Sequence, residues 1–169
     1  QFEFRVTRLH APCGTKAGIY AEIGPAIEGG LLLSAHSDVV TVEGQKWTYP
    51  PFKLTTAGDR YYGRGTTDMK GFLASMLALA SRINDKKLSK PLALLISYDE
   101  EIGCVGLQQM KAQLAPLLRA PQLCIVGEPT EMKIALGHKG KTAYRATFTG
   151  QAGHSSLAPQ FDNALHIAA

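Results

Sequence analysis

The sequence predicts an α/β fold with a largely parallel sheet flanked by helices, followed by the start of a second, α+β domain. Three observations predict it. Leu31–Ala35, Leu92–Ser97 and Leu123–Val126 are short, almost continuously apolar runs, the composition of strands buried on both faces. Between these runs, apolar residues recur at helical spacing, and strands alternating with helices argue for a layered α/β sheet. Beyond Gly140 the pattern becomes a strict alternation through Tyr144, Ala146 and Phe148, which suits a half-exposed antiparallel strand over Thr142–Thr149. The second domain is therefore expected to start near residue 138, giving domains of 1–137 and 138–169.

Along the chain, Phe2, Phe4 and Val6 alternate like a strand from the outset. Residues 19–23 and 31–35 follow as strands, separated by the turn signal Glu28-Gly29-Gly30. Residues 41–65 are rich in Gly and Pro and are expected to be mostly loop, with one short strand near Arg60–Tyr62. From Asp68 on, Met69, Phe72, Leu73, Met76, Leu77, Ala80 and Ile83 fall on one helical face, and the polar turn Asn84–Lys87 should end that helix. A second helix is expected over 104–118. Pro121 precedes the third apolar strand, in which Cys124 reads as a core residue. Asp162–Ala169 reads as a capped helix. Both chain ends look cut, so the chain is expected to be part of a longer protein.

The 169 residues are 45% hydrophobic and 19% charged, a globular rather than disordered balance. No apolar run approaches the ~18 residues of a membrane span, and no signal-peptide pattern opens the chain. The cytoplasm is the expected compartment. The formal charge of +4 is scattered rather than gathered on one stretch, which argues against a nucleic-acid binder. Cys13, Cys104 and Cys124 are odd in number and widely spaced, so neither a disulfide framework nor a CxxC zinc finger is expected.

Five segments carry chemistry. Ser34-Ala35-His36-Ser37-Asp38 ends a strand, and residues i and i+2 of a strand share a side. An imidazole and a carboxylate would meet there, as a structural pair or as a metal ligand with the group that orients it. Gly63–Gly71 places Asp68 at the start of the amphipathic helix, where it could be an N-cap. Its glycines suggest a backbone bent tightly around something. Asp99-Glu100-Glu101 follows the second apolar strand; three adjacent carboxylates need a solvated loop or nearby positive charge. Glu128 follows the third strand, its exit stiffened by Pro129. The fifth segment, Gly150–Ser156, contains His154. In an open α/β sheet, ligands collect beyond the carboxyl ends of the strands. His36, Glu100, Glu101 and Glu128 fall at such ends, and Asp68 should begin on the same side. One imidazole with several carboxylates suits zinc, cobalt or manganese, and so many carboxylates suggest two ions.

These segments, in this order and over nearly the whole chain, resemble the M20 metallopeptidase family. The resemblance implies a zinc-dependent exopeptidase-like catalytic domain over 1–137 and the beginning of a lid and dimerisation domain over 138–169. It implies two Zn2+ ions, with Co2+ or Mn2+ as alternatives. His36 and Glu128 would hold one ion, Asp68 would bridge both, and Glu101 would hold the second. Asp38 would orient His36, Glu100 would be the general base, and His154 would help hold the oxyanion. The peptide bond after Asp68 is expected to be cis. The family's further His ligand to the second ion is expected beyond these residues, since His166 falls too early; the first ion should therefore be held better.

Gly127-Glu128-Pro129-Thr130 with Gly137-His138-Lys139-Gly140, Gly153-His154-Ser155-Ser156 and Asn163-Ala164 look most like the branch that deacetylates N-acetylornithine in arginine biosynthesis. No role is assigned to His138 or Lys139. The expected partner is a small acylated amino acid, with no nucleic acid and no membrane, in a homodimer formed through the lid domain. The alternatives are a sister deacylase, desuccinylase or dipeptidase, and, from another class, a non-catalytic binding or dimerisation module. The retained Glu100 speaks against the last.

Overall fold

The structure, a computed structural model, describes residues 4–83, 87–140 and 142–169. Phe2 in the opening alternation and Asn84–Lys86 in the expected helix-ending turn lie outside the described residues. The chain divides into two compact units, one up to Lys133 and one from Ile134, slightly before the boundary read from the sequence.

The first unit holds strands β1 (Arg5–His10), β2 (Ala17–Ile23), β3 (Leu31–His36), β4 (Thr55–Ala57), β5 (Arg60–Tyr62), β6 (Leu92–Ser97) and β7 (Leu123–Val126). Its helices are α1 (Gly71–Ala80) and α2 (Val105–Leu114). Five strands form the main sheet in the order β1-β2-β6-β3-β7, while β4 and β5 make a small hairpin. The sheet is mixed. β3 pairs parallel with both β6 and β7, but β2 pairs antiparallel with β1 and with β6. The short turn from β1 to β2, closed by the Ala11 N–H on the Lys16 carbonyl at 2.9 Å, permits only an antiparallel neighbour. The parallel half carries the strands whose ends hold the acidic segments.

Period-two alternation divides the core between the sheet faces. Tyr20, Leu32, Ala93 and Leu95 pack with Met110 and Leu114 of α2. Ala21, Ile23, Leu33, Ala35, Leu92 and Leu94 pack with Met69 and with Met76 and Ala80 of α1. Two-sided burial explains why β3 and β6 read as unbroken apolar runs. β7 reads the same way but differs. It is one of the sheet's two edge strands, with β3 its one strand neighbour among the described residues. Leu123 and Val126 are each 56% exposed. Cys124 is exposed too, which corrects the expectation of a core residue: apolar composition marks a strand, while place in the sheet decides its burial.

Both helices are shorter than their apolar periodicity. α1 ends at Ala80 rather than Ile83, closing with the Ser81 and Arg82 N–H groups on the Leu77 and Leu79 carbonyls. α2 ends at Leu114, where the Leu117 and Leu118 N–H groups fold back onto its carbonyl. Such tightened last turns satisfy orphan carbonyls.

The second unit contains a 3-10 turn over Ser155–Gln160 and the short helix α3 (Ala164–Ala168), capped by the Asn163 side chain accepting the Leu165 N–H. Among the described residues of 142–149 there is no strand, correcting the expectation of an antiparallel one. A strand needs a neighbour for its backbone groups, and none pairs with this segment among the described residues; Tyr144 is 92% exposed. Among the described residues no helix is long and apolar enough to cross a membrane.

Candidate metal centre

The parallel pairing puts the carboxyl ends of β3, β6 and β7 on one edge, and His36 is the last residue of β3. Its ring is buried, with 1% of the side chain exposed. Nδ1 lies 3.0 Å from the Asp38 backbone carbonyl. A carbonyl only accepts, so Nδ1 carries a proton, and it is Nε2 that offers a lone pair whenever the ring is neutral. Nε2 faces carboxylates alone: Asp68 Oδ1 at 3.1 Å, Glu128 Oε1 at 3.7 Å and Glu100 Oε2 at 3.9 Å. Acceptors gathered on a lone pair require a proton or a cation between them.

Asp68 is brought there by an irregular turn rather than by a helix start. Hydrogen bonds five residues apart, Lys70 N–H to Gly65 and Gly71 N–H to Thr66, close the turn over Thr66–Lys70. Inside it Asp68 is extended, at φ −116° and ψ 98°, so it is not the cap of α1. The Asp68–Met69 peptide is cis. Met69 is fully buried, and its Sδ accepts the His36 N–H at 3.2 Å. Gly65 adopts φ +82°, and a Cβ there would press on Val39 Cγ1 at 2.5 Å, so both backbone and space require glycine.

The acidic run after β6 separates its members. Asp99 turns at φ 54° to pair with Lys16, whose Nζ lies 2.8 and 2.6 Å from its oxygens, and leaves the cluster. Glu101 presents its backbone N–H to Asp38 Oδ2 at 3.1 Å. Asp38 Oδ1 stays buried without a hydrogen-bond partner, 3.5 Å from His36 Nδ1. The Asp38 residue thus touches the imidazole by its carbonyl more closely than by its carboxylate. Glu100 is flanked by a residue the sequence reading overlooked: the Cys104 thiol donates to its Oε1 at 3.4 Å. The i, i+4 spacing at the start of α2 was the available signal.

Donor atoms converge in two groupings, His36 with Glu100 and Glu128, and His36 with Asp68 and Glu101, each within 4.8 Å. Burial would lower the His36 pKa, but Asp68, the Asp38 carbonyl and Glu128 outweigh it and raise it. Burial, then the charge of Asp68, raises the pKa of both Glu101 and Glu128. The Nε2 face and the mutually repelling carboxylates gathered on it fit a divalent cation, and imidazole with carboxylate suits zinc-like ions.

The raised values give a sign for pH dependence. A raised histidine pKa contributes stability that is complete below the ordinary 6.5 and lost as pH climbs through the folded value. The two glutamates act in the same sense from their ordinary 4.5 upward. Chelator-treated protein is therefore expected to lose stability from pH 6.5 into the alkaline range. Denaturant unfolding midpoints across that range check this, and a midpoint rising with pH would contradict it.

In the second unit His154 is exposed and caps the 3-10 turn: Nδ1 accepts the Ser156 N–H at 3.3 Å and lies 2.8 Å from Ser156 Oγ. His138 Nδ1 meets the Lys139 carbonyl at 2.9 Å.

The model of peptidase family M20/M25/M40 matches residues 32–167. The chain belongs to this family. Acetylornithine deacetylase of Aliivibrio fischeri strain MJ11 is 43% identical to it over 152 residues, 90% of this chain and 39% of that protein. The acetylornithine deacetylase of Buchnera aphidicola subsp. Acyrthosiphon pisum strain Tuc7 is 38% identical over 164 residues, 97% of this chain and 42% of that one. The chain thus spans about two fifths of these M20 relatives. Among solved structures, an M20 metallo-carboxypeptidase from Sulfolobus solfataricus superposes with a TM-score of 0.62 at 29% identity, over 75% of this chain and 29% of that chain. A tripeptidase from Staphylococcus aureus shares the fold, with a TM-score of 0.61 at 18% identity over 98% of this chain and 45% of that chain.

Proposed function

We propose that this chain is the metal-binding part of an amide hydrolase that removes the acetyl group from N2-acetylornithine, yielding ornithine and acetate. The observation that carries the hydrolase reading is the buried His36 with its Nε2 aimed at Asp68, Glu100 and Glu128. Identity to acetylornithine deacetylases supports the substrate. His36, Asp68, Glu101 and Glu128 would hold two divalent ions, Zn2+ first and Co2+ or Mn2+ as alternatives. When bound, such ions polarise a carbonyl and lower the pKa of water.

The chain's own residues then divide the work. Asp38 holds the His36 ring through its carbonyl, which fixes the tautomer that offers Nε2. The same residue fixes the Glu101 backbone through Oδ2. Glu100 has Oε1 occupied by the Cys104 thiol, while Oε2 faces the cluster. We assign to Oε2 the proton taken from the attacking water and returned to the departing amine nitrogen as the C–N bond breaks. His154 is assigned the oxyanion. A histidine held at Nδ1 by Ser156, as this one is, keeps Nε2 available as a donor. Losing one oxyanion donor typically costs ~3 kcal/mol of barrier. The second unit is proposed to form a homodimer in the full-length protein, and the cytoplasm is the proposed compartment.

Turnover of N-acetylornithine, N-succinyl-diaminopimelate and a panel of dipeptides by the full-length protein tests the substrate. The highest kcat/KM is expected on N-acetylornithine; a dipeptide preference would move the assignment to a peptidase of the same family. His154→Ala is expected to lower kcat by about 10²–10³-fold with metal content intact. Loss of metal in that variant would make His154 a ligand instead.

A further inference from the structure

Lys16 closes the β1–β2 turn. Its carbonyl accepts the Ala11 N–H at 2.9 Å, and Ala17 beside it opens β2 opposite His10. The lysine is thus rooted in the sheet. Its side chain reaches the acidic run after β6, with Nζ 2.8 and 2.6 Å from the two Asp99 oxygens. Among the described residues no other Lys or Arg pairs with Asp38, Asp68, Asp99, Glu100, Glu101 or Glu128. The Asp99 contact raises the Lys16 pKa, so the lysine stays charged around neutrality.

Asp99 needs such a hold. It stands at φ 54°, a left-handed backbone that a residue with a Cβ adopts only at a cost. The turn it opens carries Glu100 and Glu101. The Asp99 carbonyl accepts the Val105 N–H at 3.0 Å, and the Glu100 carbonyl accepts the Gly103 and Cys104 N–H groups at 2.9 and 2.8 Å. Further along, Asp38 Oδ2 fixes the Glu101 N–H at 3.1 Å and the Cys104 thiol meets Glu100 Oε1 at 3.4 Å. Lys16 supplies the grip at the start of the turn, before either glutamate leaves the chain. Asp99 belongs to neither donor grouping, so this grip acts on the backbone and not on the ions. With half of the lysine side chain exposed, the pair adds little stability; its effect is on the direction of the turn. We propose that Lys16 is a positioning residue for the hydrolysis: it clasps Asp99 so that Glu100 and Glu101 stay within reach of His36 Nε2. The proposal rests on the assignment above of Glu100 as base and Glu101 as metal ligand.

The test uses the full-length enzyme. Lys16→Met keeps the reach of the side chain and removes its charge. It is expected to lower kcat about 10–100-fold, the scale of a reacting group displaced by about an ångström. KM should not change, since Lys16 touches no substrate in this role. Zinc affinity, read without turnover by competition with a chromophoric chelator, should fall by a similar factor. Lys16→Arg, which can hold a carboxylate with two N–H groups, should restore both. Asp99→Gly takes the left-handed backbone freely but leaves Lys16 nothing to hold. It should match Lys16→Met, and the double variant should be no worse than either. Unchanged kcat and zinc affinity in Lys16→Met, whatever its thermal midpoint, would overturn the proposal. So would a rise in KM alone, which would place Lys16 on the substrate, or additive losses in the double variant. Should Lys16→Met fail to fold, Asp99→Gly gives the same readings. If no acyl amino acid is hydrolysed but zinc affinity still falls in Lys16→Met, the reaction assignment is lost and the clasp stands.

Discussion

Glu100→Gln in the full-length enzyme is expected to abolish measurable turnover while metal content stays at the wild-type level. The amide matches the carboxylate in size and can still accept the Cys104 thiol at Oε1, so the turn that opens α2 is preserved. It cannot take up a proton at the position facing the cluster, and general-base catalysis is typically worth about 10²–10⁴-fold. His36, Asp68, Glu101 and Glu128 remain to hold the ions. Acetate release and elemental metal analysis on the same sample decide it. Retention of more than a small fraction of activity would remove Glu100 from the role of base. Loss of metal would instead make it a ligand, as its grouping with His36 and Glu128 allows.

His36→Ala has the second largest expected effect, and it falls on metal rather than on turnover alone. His36 supplies the one imidazole of the cluster, and both donor groupings run through its Nε2. Without it the remaining donors are carboxylates, which suit hard ions such as Mg2+ better than zinc. The variant is expected to bind less zinc per chain and to lose activity with it. A stripped and reconstituted sample with wild-type zinc content would contradict the assignment. Asp38→Asn should act more gently. It leaves the carbonyl on Nδ1 untouched and changes only the carboxylate beside it, and such supporting partners typically cost 10–100-fold in metal affinity.

The sheet was legible because its central strands are buried on both faces, and two-sided burial writes itself as an unbroken apolar run. β2, β3, β5, β6 and β7 lie where composition placed them. The antiparallel start was not legible, because strand direction depends on how short the β1–β2 turn is, not on strand composition. The exposure of β7 escaped for a related reason: edge and centre have the same apolar lettering. Asp68 was read as a candidate site residue, and its carboxylate does meet His36 Nε2, but its extended backbone was not legible, since five-apart hydrogen bonds leave no periodic mark. The parting of Asp99 from Glu100 and Glu101 needed Lys16, 83 residues away, which no local pattern reveals. Past Gly140, alternation alone predicted a strand where none pairs among the described residues.

The central claim is that the edge formed by β3, β6 and β7 binds divalent metal in order to cleave an amide. Chelation followed by graded return of Zn2+ to the full-length enzyme tests it most directly, with N-acetylornithine turnover and bound metal measured on each sample. Turnover is expected to vanish in the stripped protein and to return in proportion to bound zinc. The Glu100→Gln variant should regain the metal without the turnover. Undiminished hydrolysis by verified metal-free enzyme would contradict the account.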